Sequence, residues 1–138
     1  MQKAEPVHLV HGALVIRSKP GPGQCNLEKI SLDRGVLQVW GWMIDPSVPG
    51  IPQVAYIYIS GKGPSAVYYL RVHASVERPD VVAYFHDNRA YAESGFYVTH
   101  TLHIPAGAYD VQLIYKSRQA LYVCQVAKSI KVSRGDAK

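Results

Sequence analysis

Six histidines are the residues most able to do chemistry here, and their spacing raises a metal site first. His8 and His11, and again His100 and His103, stand three apart. Within a strand that spacing sends the two side chains to opposite faces, so neither pair converges. Zinc needs three or four converging ligands, and the chain has no Cys-x-x-Cys or His-Glu-x-x-His. His73 and His86 could meet across a loop with Asp87, although ordinary solvated histidines are the simpler reading. Serine nucleophiles fare no better: Ile59-Ser60-Gly61 and Glu93-Ser94-Gly95 lack the Gly-x-Ser-x-Gly elbow. Gly61-Lys62-Gly63-Pro64-Ser65 lacks the spacer and following helix of a phosphate loop and reads as a hairpin turn. Glycoside hydrolysis would need two facing carboxylates, and nothing singles out a pair among Asp45, Glu77, Asp80, Asp87 and Glu93. No catalytic residue, metal site or cofactor is assigned, and the expectation is a non-enzyme.

Binding has better candidates. Tyr84, His86, Asp87, Asn88, Arg89 and Tyr91 mix aromatic faces with planar polar groups, which suits a sugar ring or a peptide. Tyr68 and Tyr69 are adjacent, so strand alternation turns one ring away from the core and adds it to the candidates. The plainer alternative is tyrosines covering a small sandwich with their hydroxyls in water.

These residues must be positioned by short strands. From residue 25 the chain is a series of strand-length runs between turn signals, at 25–32, 36–45, 53–60, 66–73, 95–104, 108–116 and 121–132. Residues 81–85 read as one helical turn, because Pro79 and Asp80 suit its first positions. Seven strands with turns every 8–12 residues predict an all-β domain, an immunoglobulin-like antiparallel β-sandwich, with a small barrel as the alternative. Within it, Phe96, Val98, His100 and Leu102 share a face, as do Tyr109, Val111, Leu113 and Tyr115. Of Trp40 and Trp42, at least one is expected in the core and the other over an edge or loop. Residues 1–24 read as an N-terminal arm with a possible strand at 8–17 and a Pro/Gly linker, 25–133 as the sandwich, and 134–138 as a tail. The arm carries Leu9, Val10, Leu14, Val15 and Ile16 and could add a strand to its own sheet or to another molecule.

Composition agrees with a folded domain. The 138 residues are 48% hydrophobic and 18% charged, with ten tyrosines, which excludes a disordered chain. No apolar run approaches the ~20 residues of a membrane helix. Met1–Pro6 leads into a mixed stretch rather than a clean apolar leader, consistent with a cytosolic chain or with a piece of a longer one. The net charge of +5 includes Lys128, Lys131, Arg134 and Lys138 near the end. Without a basic run or an RNA-recognition motif, that excess reads as solvated surface and not as a nucleic-acid site. Cys25 and Cys124 lie in the first and last strand runs, where a bridge is geometrically reasonable and two separate buried thiols are the alternative.

Several landmarks occur in a telling order: Cys25, Gly41-Trp42-Met43-Ile44-Asp45, Arg78-Pro79-Asp80-Val81, Ser94-Gly95-Phe96, Ile104-Pro105-Ala106-Gly107-Ala108-Tyr109, and Cys124. Over about residues 25–132 this resembles the Ig-like β-sandwich modules of bacterial envelope and secreted proteins, which are often appended to glycosyltransferases or membrane proteins. The resemblance implies a Cys25–Cys124 disulfide, a periplasmic or extracellular location, and an accessory role. The expected partner is a glycan or an envelope protein, with membrane contact only through a larger parent protein. An interaction or spacer domain, docking through a sheet edge or the arm, is the alternative. The motif residues have structural readings. Asp45 caps a turn before Pro46, Arg78 and Asp80 clamp a loop or cap a helix, Trp42 and Phe96 pack, and Tyr109 ties down a loop as in a tyrosine corner.

Overall fold

A computed structural model describes residues 4–6, 16–17, 23–61, 67–118 and 120–132. The described residues form nine strands: β1 (Ala4–Pro6), β2 (Ile16–Arg17), β3 (Gln24–Asp33), β4 (Val36–Ile44), β5 (Ala55–Ser60), β6 (Val67–Val72), β7 (Gly95–Thr101), β8 (Gly107–Ser117) and β9 (Ala120–Val132). One α-helix, α1 (Pro79–Tyr84), and a 3-10 turn, Arg89–Tyr91, lie between β6 and β7. The strands form two packed sheets, β3-β4-β7 and β1-β6-β5-β8-β9-β2, an all-β sandwich. Every pairing is antiparallel except β2 with β9. The seven expected runs correspond to β3–β9, and the described parts of the arm pair with the two outer strands, β6 and β9, of the larger sheet. Most of the expected arm strand, the linker at 18–22 and the tail at 134–138 lie outside the described residues.

Turn chemistry sets the hairpins. Arg34 and Gly35 both take positive φ (52° and 79°) between β3 and β4, the requirement of a tight hairpin turn whose twist matches its strands. Between the sheets, Leu37, Val39 and Met43 of β4 meet Ile57, Ile59, Leu70, Val111 and Leu113. That phase corrects the expectation for the tryptophans, because with 37, 39, 41 and 43 inward, Trp40 and Trp42 both face outward. Gly41 holds the inward place between them, and a Cβ there would run into the Asn26 carbonyl of β3 and come within 2.8 Å of Cζ of Phe96. The β3 backbone and the phenylalanine ring together occupy the space that a side chain at 41 would need.

Two links hold the ends of the sandwich. Cys25 and Cys124 form a disulfide between β3 and β9, with 99 residues of separation and Cα atoms 6.4 Å apart. The Tyr109 hydroxyl donates to the Pro105 carbonyl at 2.7 Å, tying the start of β8 to the connection from β7. His100 faces inward with Phe96, Val98 and Leu102, and its Nδ1 is buried without a hydrogen-bond partner. Burial holds its imidazole below the usual histidine range, because the charged form loses its hydration.

Two outcomes follow from these packing facts. A Cys25→Ala/Cys124→Ala double variant is expected to lose about 4–5 kcal/mol of unfolding free energy in urea titrations, the chain-entropy value for a loop of this length. Wild type should show no free thiol under denaturing, non-reducing conditions. For His100, the unfolded chain binds a proton near pH 6.5 and the folded chain only at lower pH. Stability should therefore decline as pH falls below about 6.5, and His100→Gln should flatten that slope in thermal melts recorded from pH 7.5 to 5.0.

Candidate functional site

The connection from β6 to β7 carries most of the candidate binding residues, and backbone pairing closes it at its neck. Ser75 and Val76 both donate to the Gly95 carbonyl at 2.9 Å, Gly95 donates to the Val76 carbonyl at 2.9 Å, and Arg78 donates to Ala92 at 2.8 Å. Gly95 is needed where these segments touch, since a Cβ would sit 2.7 Å from Cγ of Arg78. Pro79 then opens α1 at a position where its missing N–H costs nothing, with Asp80 in the first turn. The helix is short, and its hold on the sandwich is apolar. Val81 and Tyr91 pack with Ile44, flanked by Trp42 and Phe85, in a small second core on the outer face of β4. The Phe85 ring meets Trp42 and Tyr91 edge-on, with centroids 5.8 and 5.6 Å apart.

Charge fixes the other side. Arg78 Nη1 and Nη2 each donate to a different oxygen of Glu28 at 2.8 Å, while Nε and Nη2 reach Asp80 at 2.9 and 2.8 Å. One guanidinium thus bridges β3 and the first turn of α1. The geometry is a clamp, since Arg78 makes no side-chain cap at the helix. The bonds to Asp80 and then Glu28 raise the arginine's proton affinity further, and the bond from Arg78 holds the Asp80 carboxyl below its usual range. Sequence reasoning missed Glu28. It is the extra residue of a β-bulge between Leu27 and Lys29, and nothing local marks it as a partner for a residue fifty positions on.

After α1 the chain turns through His86 and Asp87, both at φ 60°. Two successive non-glycine residues in the left-handed region are uncommon, and such strain is retained where the surroundings demand it. Asn88 then accepts from the Ala90 N–H at 3.0 Å and caps the 3-10 turn. The result presents Tyr84 with 76% of its surface in water, beside exposed His86, Asp87 and Arg89 and half-buried Asn88. Two shallow grooves flank α1. One, of about 300 Å³, is lined by Trp42, Asp80, Val81, Tyr84 and Phe85. The other, of about 380 Å³, is lined by Glu77, Pro79, Val82, Asp87, Arg89 and Ala92.

Three expected members do not join this surface. Tyr91 is 4% exposed, because its ring anchors the 3-10 turn over Ile44. Tyr68 packs against the main core, half-buried. Tyr69 does point away from that core, as alternation requires, but is 1% exposed on the far face of the larger sheet with Tyr56, Tyr58, Ile114 and Leu121. Burial, with the neighbouring tyrosines second, pushes its phenol up to about 12. Asp45 binds its own turn, as its Oδ1 accepts from Ser47 N–H at 3.0 Å and from Ser47 Oγ at 2.7 Å. Among the described residues no three His, Cys, Asp or Glu side chains gather to hold a metal, and no helix is long and apolar enough to cross a membrane. The surface around α1 offers an exposed ring, a carboxylate, an imidazole and a guanidinium. Such a set can bind by stacking and hydrogen bonding.

No protein-family model matches the chain, and no curated protein and no solved structure matches it.

Arg78→Ala should lower the unfolding free energy by about 1–2 kcal/mol, a modest figure because Asp80 and Glu28 are partly solvated. The pair's contribution is present above the unfolded aspartate value near pH 4. It disappears as pH falls through the lower folded value, so the gap between wild type and Arg78→Ala should close in acid-denaturation curves.

Proposed function

We propose that this chain is a non-catalytic recognition module that binds glycan through the surface around α1, outside the cytoplasm at a bacterial envelope. The observation that carries this reading is the solvent-exposed Tyr84 ring beside a groove holding Trp42, Phe85 and the Asp80 carboxylate. An aromatic face stacks on the C–H face of a sugar, and an adjacent carboxylate accepts from its hydroxyls. The Arg78 clamp and the apolar anchor below α1 hold that surface on the sandwich, which reduces the ordering cost of binding. Cysteines joined as a disulfide are compatible with an oxidising compartment, in keeping with a periplasmic or extracellular site. The strand orders 3-4-7 and 6-5-8-9, with a tyrosine hydroxyl bonded back across the β7–β8 corner, favour the immunoglobulin-like variety of sandwich.

The alternative, a spacer or interaction domain docking by a sheet edge, falls on the small sheet. Arm strands β1 and β2 already lie along the larger one, so β3 and β7 are the edges this reading would use.

Screening the protein on an array of bacterial polysaccharides, followed by calorimetry on the best ligand, tests the glycan reading. Tyr84→Ala should weaken binding about five- to tenfold, the worth of one aromatic contact, with an unchanged melting temperature. Equal affinity in wild type and variant removes α1 as the site, and no binding by wild type removes the glycan.

A further inference from the structure

A third groove lies between the connection from β4 to β5 and the turn between β8 and β9. It encloses about 500 Å³ and is lined by Asp45, Val48, Pro49, Gly50, Ile51, Pro52, Gln53, Val54, Lys116 and Arg118, none of which belongs to the α1 surface. The two walls are tied together. Ser47 Oγ lies 3.4 Å from Ser117 Oγ, Arg118 Nη2 donates to the Ser47 carbonyl at 3.4 Å, and Lys116 N–H donates to the Val54 carbonyl at 2.9 Å. On one wall, Asp45 and Gly50 exchange backbone hydrogen bonds of 2.7 and 3.0 Å, and three prolines stiffen the same loop. On the other, Arg118 takes φ 58° at the hairpin turn. This groove is preformed.

Its charge is one-sided. Lys116 and Arg118 are exposed, and among the described residues no carboxylate pairs with either. The lone acid in the lining, Asp45, is 2% exposed, and its Oδ1 is already engaged by Ser47. A carboxylate entering from solvent therefore meets an ammonium and a guanidinium with donors to spare. Apart from Gly50 and the Gln53 amide, the other lining side chains are proline and branched aliphatic, surfaces against which a saccharide ring can lie. A peptide binding by strand addition would need an unpaired edge, and β8 is paired on both sides, with β5 and β9. A nucleic acid would need a ring for base stacking, and the lining has none.

Resting on the reading that the chain recognises glycans, we propose that this groove binds an acidic sugar residue of a polysaccharide. Its carboxylate is held by Lys116 and Arg118, and its ring lies against Pro49 and Pro52. The module then has two contacts with its ligand, a stacking contact at α1 and an anionic contact at the β8–β9 end.

The test uses the full isotope-labelled chain, titrated by NMR with tetragalacturonate, its neutral methyl ester, and tetraglutamate. Tetragalacturonate should shift the amides of 45–54 and 116–118 to saturation. The affinity should fall about tenfold or more in Lys116→Gln/Arg118→Gln, be partly restored in Lys116→Arg/Arg118→Lys, and stay unchanged in Lys128→Gln/Lys131→Gln, which removes two exposed charges elsewhere. Equal binding of the methyl ester overturns the role of the charge, and equal binding of tetraglutamate overturns the sugar. Loss of groove shifts while other glycans still bind in a Tyr84-dependent way defeats this proposal alone. If no saccharide binds at either place, both readings fail.

Discussion

The cystine between β3 and β9 is the constraint on which the rest of the sandwich depends. It joins the first strand of the small sheet to the last of the chain's long hairpin, across the interface between the two sheets. A three-stranded sheet has little surface with which to hold itself against its partner. Fixing β3 on β9 limits how far the small sheet can slide or splay. Leu37, Val39 and Met43 of β4 then stay in phase with the inward side chains of β5 and β8, and the outward side of β4 is free for other uses.

That outward side is where the crossing between the sheets is anchored. The chain leaves β6 in one sheet and must return to β7 in the other, and a six-residue helix could not hold its own shape in water. Two unlike interactions keep it in place: the apolar contact of Val81, Phe85 and Tyr91 with Trp42 and Ile44, and the guanidinium of Arg78 between Glu28 and Asp80. The first is non-directional and supplies most of the holding energy, whereas the second is directional and fixes the orientation. Tyr84 owes its exposure to this division, because neighbouring residues on both sides of it do the anchoring.

The two surfaces differ in the same physical terms. Around α1, acidic and basic groups are mixed beside aromatic rings. At the β8–β9 end the solvent meets two cations over proline and aliphatic walls, and no ring contributes. Two of the chain's basic residues are thus gathered there, even though no run of lysine or arginine in the sequence announces it.

Much of this was legible in the residues themselves, because strand periodicity and turn chemistry are local. The seven runs from residue 25, the positive-φ turn at Arg34-Gly35, the helical turn after Pro79 and the inward face of β8 all follow from alternation and backbone restrictions. The candidate surface was only half legible. Tyr84, His86, Asp87 and Arg89 are where the sequence suggested, yet Tyr91 and Tyr69 are buried, since a tyrosine's type does not reveal which neighbours cover it. Trp42 lies over the β6–β7 connection, as expected of one ring, but neither tryptophan fills the core between the sheets, because apolar content on both faces of β4 hides its phase until Gly41 is seen against the Asn26 carbonyl and the Phe96 ring. Sequence by itself determined which segments are strands and where they turn. Only the tertiary structure decided that Glu28 meets Arg78, that Ser47 meets Ser117, and that two cations share a groove. Those pairings join residues far apart in the chain, and only packing brings them together.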